Sequence, residues 1–273
     1  MHSRHTAKLV LLIPAVLFGR SSSGAETQLE RAYNQMYNLQ FGNAHRILEE
    51  YQAQQPEDPL GPVSDAAACL YSEFDRLHIL ESEFFTDDKR VQNSKAKPDP
   101  AVEARFDADL DKTQRLAAAE MSNPSQRPNA MFADTMRLGL SGDYLALIDG
   151  RGLAALTQMK KAREVAEQLL TQYPSYYDAY VAIGAENYIL SQKPAPVRWV
   201  LRMTGSETDK DNGVKKLRLS AEHGHFLLPY ARLLLAVAAL RDGDRQTARQ
   251  FLQWLADQYP QNGLYRNELA KLR

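Results

Sequence analysis

Three stretches of this chain share one pattern, and the pattern allows few folds. In "NAHRILEEYQAQQP", "KKAREVAEQLLTQYP" and "RQTARQFLQWLADQYP" an alanine stands twelve residues before a proline: Ala44 and Pro56, Ala162 and Pro174, Ala248 and Pro260. Four residues after each alanine comes Leu48, Ala166 or Leu252, and three further on Tyr51, Leu169 or Leu255. Steps of four and three put these side chains on one helix face. Proline just past the last turn ends the helix. A small residue lets a second helix approach closely, and the larger residues a turn away fill the space left. One such pair buries only one face by itself, so pairs must stack into an array.

The rest of the chain reads the same way. No run of alternating Val, Ile and Thr flanks a hairpin turn, so strands are not expected. The spacing predicts helices over 26–40, 43–55, 62–85, 101–121, 128–157, 159–172, 176–191, 212–223, 227–241, 244–258 and 262–271. The chain of 273 residues is 44% apolar and 25% charged, which supports a sizeable core. The segment 86–100, "TDDKRVQNSKAKPDP", is charged, nearly without apolar residues and reads as a flexible linker. The expected fold class is therefore all-α, an array of antiparallel helix pairs, compact and irregular.

The first residues, "MHSRHTAKLVLLIPAVLFGRSSSGAETQ", have a basic start, a short apolar run and small residues at Ser23 and Ala25. These are the parts of a secretory signal, expected at 1–25 with cleavage after Ala25. The apolar run, Leu9 to Gly19, is short of the ~20 residues that span a bilayer. An uncleaved tether is the alternative. Removing 1–25 would take away Arg4, Lys8 and Arg20 and no acid, leaving the remainder more acidic than the whole chain's formal charge of −1. Such a balance speaks against a broad nucleic-acid surface. The lone Cys69 permits no internal disulfide and reads as a small core residue.

The helix pairs resemble tetratricopeptide repeats. The small-residue sites, the alanine-led stripe, the terminal proline and a spacing near 34 between Gly150 and Gly184 carry the likeness. It is strongest over 143–191 and 227–273, weaker over 26–56 and poor over 60–127. The stretch "YYDAYVAIGAENYILSQKPAPVRWVLRMTGSETDKDNGVKKLRLSAEHG" further resembles a group of exported bacterial repeat proteins. The likeness implies one repeat domain over 26–273, working in the periplasm. The repeat's usual early tryptophan is replaced here by Ala146, Tyr180 and Arg232, and an insert over 191–212 lengthens one repeat.

In that family the first helix of each pair lines a concave face. Carried over, this places Tyr144, Leu147, Arg151, Asp178, Val181, Ala185, Tyr188, Tyr230, Leu233 and Val237 toward a groove. The Lys and Asn positions with which some members grip a terminal carboxylate hold Leu147, Arg151, Val181 and Ala185 here. An apolar extended or helical segment of an unknown protein or peptide is the better ligand. The rival is a groove filled by the chain's own helices, the 101–121 segment among them.

Catalytic signatures fail one by one. "GLSGD" lacks the second glycine of a nucleophile elbow and lies in helical sequence. "ETDKDNG" lacks the oxygen ligands of a calcium loop and reads as a helix start capped by Asp211 or Asn212. "HGH" at 223–225 has no companion metal ligands and reads as a helix end at Gly224. His78 and Glu81 read as a solvated pair. No cofactor motif, metal site or catalytic residue is expected.

The insert "KPAPVRWVLRMTG" puts Val197, Val200 and Leu201 on one helical face and Trp199 and Met203 on its neighbour, with Arg198 and Arg202 one turn apart. The plainer expectation is a loop helix that caps the array with Trp199 in the core. The sharper one is a basic amphipathic piece in contact with a membrane or a partner. The function expected from sequence is thus a non-catalytic interaction or scaffolding module with an apolar concave groove. The alternatives are a membrane-associated accessory subunit using 193–205 and an unrecognised hydrolase.

Overall fold

The computed structural model describes residues 26–81, 97–193, 195–203, 205 and 207–272. Residues 1–25, which would hold the signal, and 86–96 of the expected linker lie outside the described residues. The regular structure described is all helical. In chain order it comprises α1 (Gln28–Tyr37), α2 (Phe41–Gln54), α3 (Leu60–Arg76), α4 (Pro100–Glu120), α5 (Arg127–Leu147) and α6 (Gly152–Gln172). A short 3-10 turn at Tyr177–Ala179 leads into α7 (Tyr180–Ser191), then α8 (Ala195–Met203), α9 (Lys210–His223), α10 (Leu228–Arg241), α11 (Arg245–Gln258) and α12 (Gly263–Lys271).

Neighbouring helices pack as pairs: α1 with α2, α3 with α4, α5 with α6, α7 with α9 and α10 with α11, with α12 closing on α11. Each pair also packs on the next, through α2–α3, α4–α5, α6–α7 and α9–α10. The alanine-led stripes form the seams. Ala44, Ala162 and Ala248 are all buried, as are Leu48, Ala166, Leu252, Leu169 and Leu255. The three proline-terminated helices also end alike. Gln55, Tyr173 and Tyr259 share φ values of −128°, −134° and −123° and ψ values of 64°, 73° and 69°. Each donates its N–H to the carbonyl four residues back, at 2.8, 2.7 and 2.9 Å. The following proline disfavours the α conformation for the residue before it, so these residues leave the helix in the same direction.

Three local expectations are corrected. The helix expected over 128–157 is broken at Ile148–Arg151. Gly150 takes φ +67°, a left-handed conformation that ends α5, and Arg151 N–H closes the turn on Leu145 O at 2.7 Å. Apolar periodicity runs on through a glycine and conceals such a stop. The cap of α9 is Asp209, whose side chain accepts from Asn212 N at 3.1 Å, not Asp211 or Asn212. The third concerns Trp199, which is 65% exposed rather than folded into the core.

The insert is looped out of its pair. α7 and α9 pack directly on each other although α8 lies between them in sequence. Gly184 and Gly213 make this possible. A Cβ on Gly184 would meet Gly213 O and Leu217 N at 2.9 Å, and one on Gly213 would meet Tyr188 N at 2.7 Å.

Candidate interaction surface

The residues assigned to a concave groove do not line an open one. Tyr144 is buried, its ring stacked on Phe106 of α4 with centroids 5.1 Å apart, and its hydroxyl donates to Glu103 Oε1 at 2.7 Å. The 100–120 helix therefore covers this end. Tyr230 packs edge-on against Tyr71 of α3 at 5.7 Å and donates to Asp143 Oδ2 at 3.3 Å. Burial pushes the Asp143 carboxyl up to about 7. Val181, Tyr188 and Val237 are buried, and Ala185 and Leu147 are half-buried. Leu233 faces an inner apolar cavity shared with Tyr37, Tyr71 and Leu80. Arg151 alone is exposed, on the turn after α5, 3.9 Å from Asp149.

Asp178 has an inward structural role. Its carboxylate accepts the backbone N–H groups of His225, Phe226 and Leu227 at 2.8, 2.9 and 3.0 Å. Gly224 leaves room for it, since a Cβ there would lie 2.7 Å from Asp178 Oδ1. The "HGH" turn is thus the joint between α9 and α10. His225 Nε2 also meets Glu30 Oε1 of α1 at 2.6 Å. Glu30 is held down to about 2, chiefly by the Thr27 backbone N–H of its capping box and then by His225.

Helix α1 finishes the closure. Tyr33 stacks on Phe226 at 4.9 Å, and Tyr37 donates to Phe226 O at 2.9 Å while its ring lies 5.3 Å from Tyr259. Asn262 Nδ2 donates to Tyr37 O at 2.9 Å and Gln261 N to Asn38 Oδ1 at 3.1 Å. The two ends of the array, α1 and the segment that precedes α12, are therefore bound to each other.

A charged knot between α2, α3 and α4 is invisible in the sequence pattern. Asp65, 2% exposed, meets His45 Nδ1 at 2.5 Å and Arg105 at 2.7 Å. Despite burial, His45 and Arg105 hold the Asp65 carboxyl below its usual range. Asp109 beside it has a buried Oδ2 without a donor, and burial followed by the Asp65 charge pushes it up to about 7. Cys69 in the same interface is raised to about 12 by burial, which leaves no thiolate for chemistry near neutral pH. Among the described residues no group of three or more His, Cys, Asp and Glu is placed to hold a metal ion, and no helix is long and apolar enough to cross a membrane.

No family model, curated protein or solved structure matches this chain. Its contact surface must be read from its own geometry.

That geometry singles out α8. Trp199 is 65% and Met203 69% exposed, one turn apart, and Val197 is 44% exposed. The side chain of Arg202 lies outside the described residues. The helix is tied at both ends. Arg198 Nη1 donates to Lys193 O at 3.0 Å and Ser191 O at 3.3 Å, and Arg163 Nη2 donates to Gly205 O at 3.1 Å. Arg163 is itself fixed by Glu186 at 2.6 Å and Glu167 at 2.8 Å. Asn187 and Asn212 both donate to Glu207, at 2.8 and 3.0 Å, holding the segment that leads from the insert into α9. The sequence signal for α8 was its apolar face beside paired arginines. No sequence signal linked Arg163 to Glu186, because neither lies on the other's helix.

Proposed function

We propose that this chain is a non-catalytic docking module, a degenerate tetratricopeptide-like array exported to the periplasm, whose contact element is α8. The observation that carries the reading is the exposure of Trp199 and Met203 on a helix that is tied down at both ends. Large apolar side chains held in water without a packing role mark interaction sites when they are grouped. The groove reading loses support because Tyr144, Val181, Tyr188 and Tyr230 are spent on internal packing.

The test is photo-crosslinking in cells, with a benzophenone side chain at position 199 and, in a second variant, at 188. The proposal expects a defined adduct from 199 and none from 188. An adduct from 188 alone would return the contact to the concave side and sink the proposal.

A further inference from the structure

Resting on the reading that α8 is the contact element, we propose that its partner is an anionic lipid surface, on which the helix lies flat with Trp199 and Met203 at headgroup level. Three observations point there.

The first is shape and area. Trp199 and Met203, one turn apart, expose roughly 300 Å² of side chain between them. A stable protein interface takes ~800 Å² from each partner. Two exposed side chains on one nine-residue helix fall well short of that. A bilayer interface needs no matching groove, because lipids close around whatever is inserted.

The second is charge. Between Lys193 and Ser206 stand Lys193, Arg198 and Arg202 and no acid, in a chain whose formal net charge is −1. The segment that carries the apolar strip is thus basic in sequence, as attraction to phosphate headgroups requires. The bonds by which Arg198 ties the helix go to the carbonyl oxygens of Ser191 and Lys193.

The third is preorganisation. The ties from Arg198 and Arg163 hold the helix on the array before any lipid arrives, so docking does not bear the entropy of ordering it. Tryptophan suits the headgroup layer because its ring is apolar and its indole N–H finds a polar acceptor there.

The experiment uses the full chain with phosphatidylcholine vesicles, with and without phosphatidylglycerol. Emission of the wild type minus that of Trp199→Phe reports on position 199 alone, whatever residues 1–25 contribute. The proposal expects this difference emission to shift to the blue and to be quenched by bromolipids on the anionic vesicles only, with the effect weakening as salt is added. Lys193→Gln and Arg202→Gln should each weaken the apparent affinity about fivefold. An unshifted difference spectrum, or an equal response to neutral vesicles, overturns it. If the vesicles fail while position 199 crosslinks to a protein, the lipid assignment falls and the docking reading stands. If both fail, both fall.

Discussion

Gly184 and Gly213 face each other across α7 and α9 so closely that neither position has room for a Cβ. The atoms a methyl group would strike at 184 include Gly213 O and Leu217 N, which are backbone and cannot swing aside. Gly184→Ala or Gly213→Ala should therefore part the two helices and cost about 1–3 kcal/mol or more. Gly42 in α2 has nothing within 4 Å of its Cβ position. Gly42→Ala should be neutral or stabilise by about 0.5–1 kcal/mol. Urea unfolding of the three variants compares them directly.

Asp178 should be the costliest single carboxylate to remove. Alanine there leaves the N–H groups of His225, Phe226 and Leu227 without their acceptor in a half-buried joint. A loss of about 3 kcal/mol is expected, and Asp178→Asn, which keeps one acceptor, should lose less. Equal stability of Asp178→Ala and wild type in thermal melts would contradict this account of the joint.

His78 ends α3 with φ 58°, a left-handed conformation that costs a side chain ~1–2 kcal/mol. Its ring is exposed and, among the described residues, lies 3.1 Å from Glu81. His78→Gly should accordingly stabilise the fold by about 1 kcal/mol. The reverse holds at Gly243, where φ is 75° and alanine should destabilise by a similar amount. Paired calorimetric scans would show opposite shifts in Tm.

Stability should decline between pH 4 and 7. The Asp109 and Asp143 carboxyls are both raised by burial to about 7. In that window the folded chain holds protons that the unfolded chain has released, so a rise in pH favours unfolding. Asp65, whose pKa is lowered by His45 and Arg105, acts oppositely and only at the acid end. Asp109→Asn should flatten the decline and add on the order of 2 kcal/mol at pH 8, with little effect at pH 4. Chemical denaturation at the two pH values measures this. A gain that is the same at both would show that the proton is not the cause.

The two tryptophans should respond in opposite ways. Trp254 carries the Arg232 guanidinium 4.0 Å above its ring and packs near Tyr259. Trp254→Ala should cost roughly 2–4 kcal/mol. Trp199→Ser should leave stability within about 0.5 kcal/mol, because the side chain is 65% exposed. A large loss on Trp199→Ser in the same unfolding assay would mean that α8 is part of the core.

Some of the candidate contact surface was legible in the chain and some was not. The apolar strip of α8 is a matter of residues three and four apart, and it was readable as a possible contact. That Trp199 points outward was not readable, since an apolar face on an insert can turn either way. The contacts between distant helices were hidden more deeply. Tyr144 meets Glu103 across 41 residues and Tyr37 meets Phe226 across 189. Nothing in the local pattern of one helix names a partner so far away.

By itself the sequence determined the helices, their all-α class and the buried seams led by Ala44, Ala162 and Ala248. These depend on contacts within one or two turns and on prolines that act on their immediate neighbours. Only the tertiary structure decided that α7 passes over the insert to reach α9, that α1 binds the far end of the array and that α8 stays exposed. Those outcomes depend on which of several similar apolar faces meet. Such faces differ little in composition, so the choice falls to backbone clearance at two glycines, to one buried carboxylate at a turn and to ring packing between distant helices.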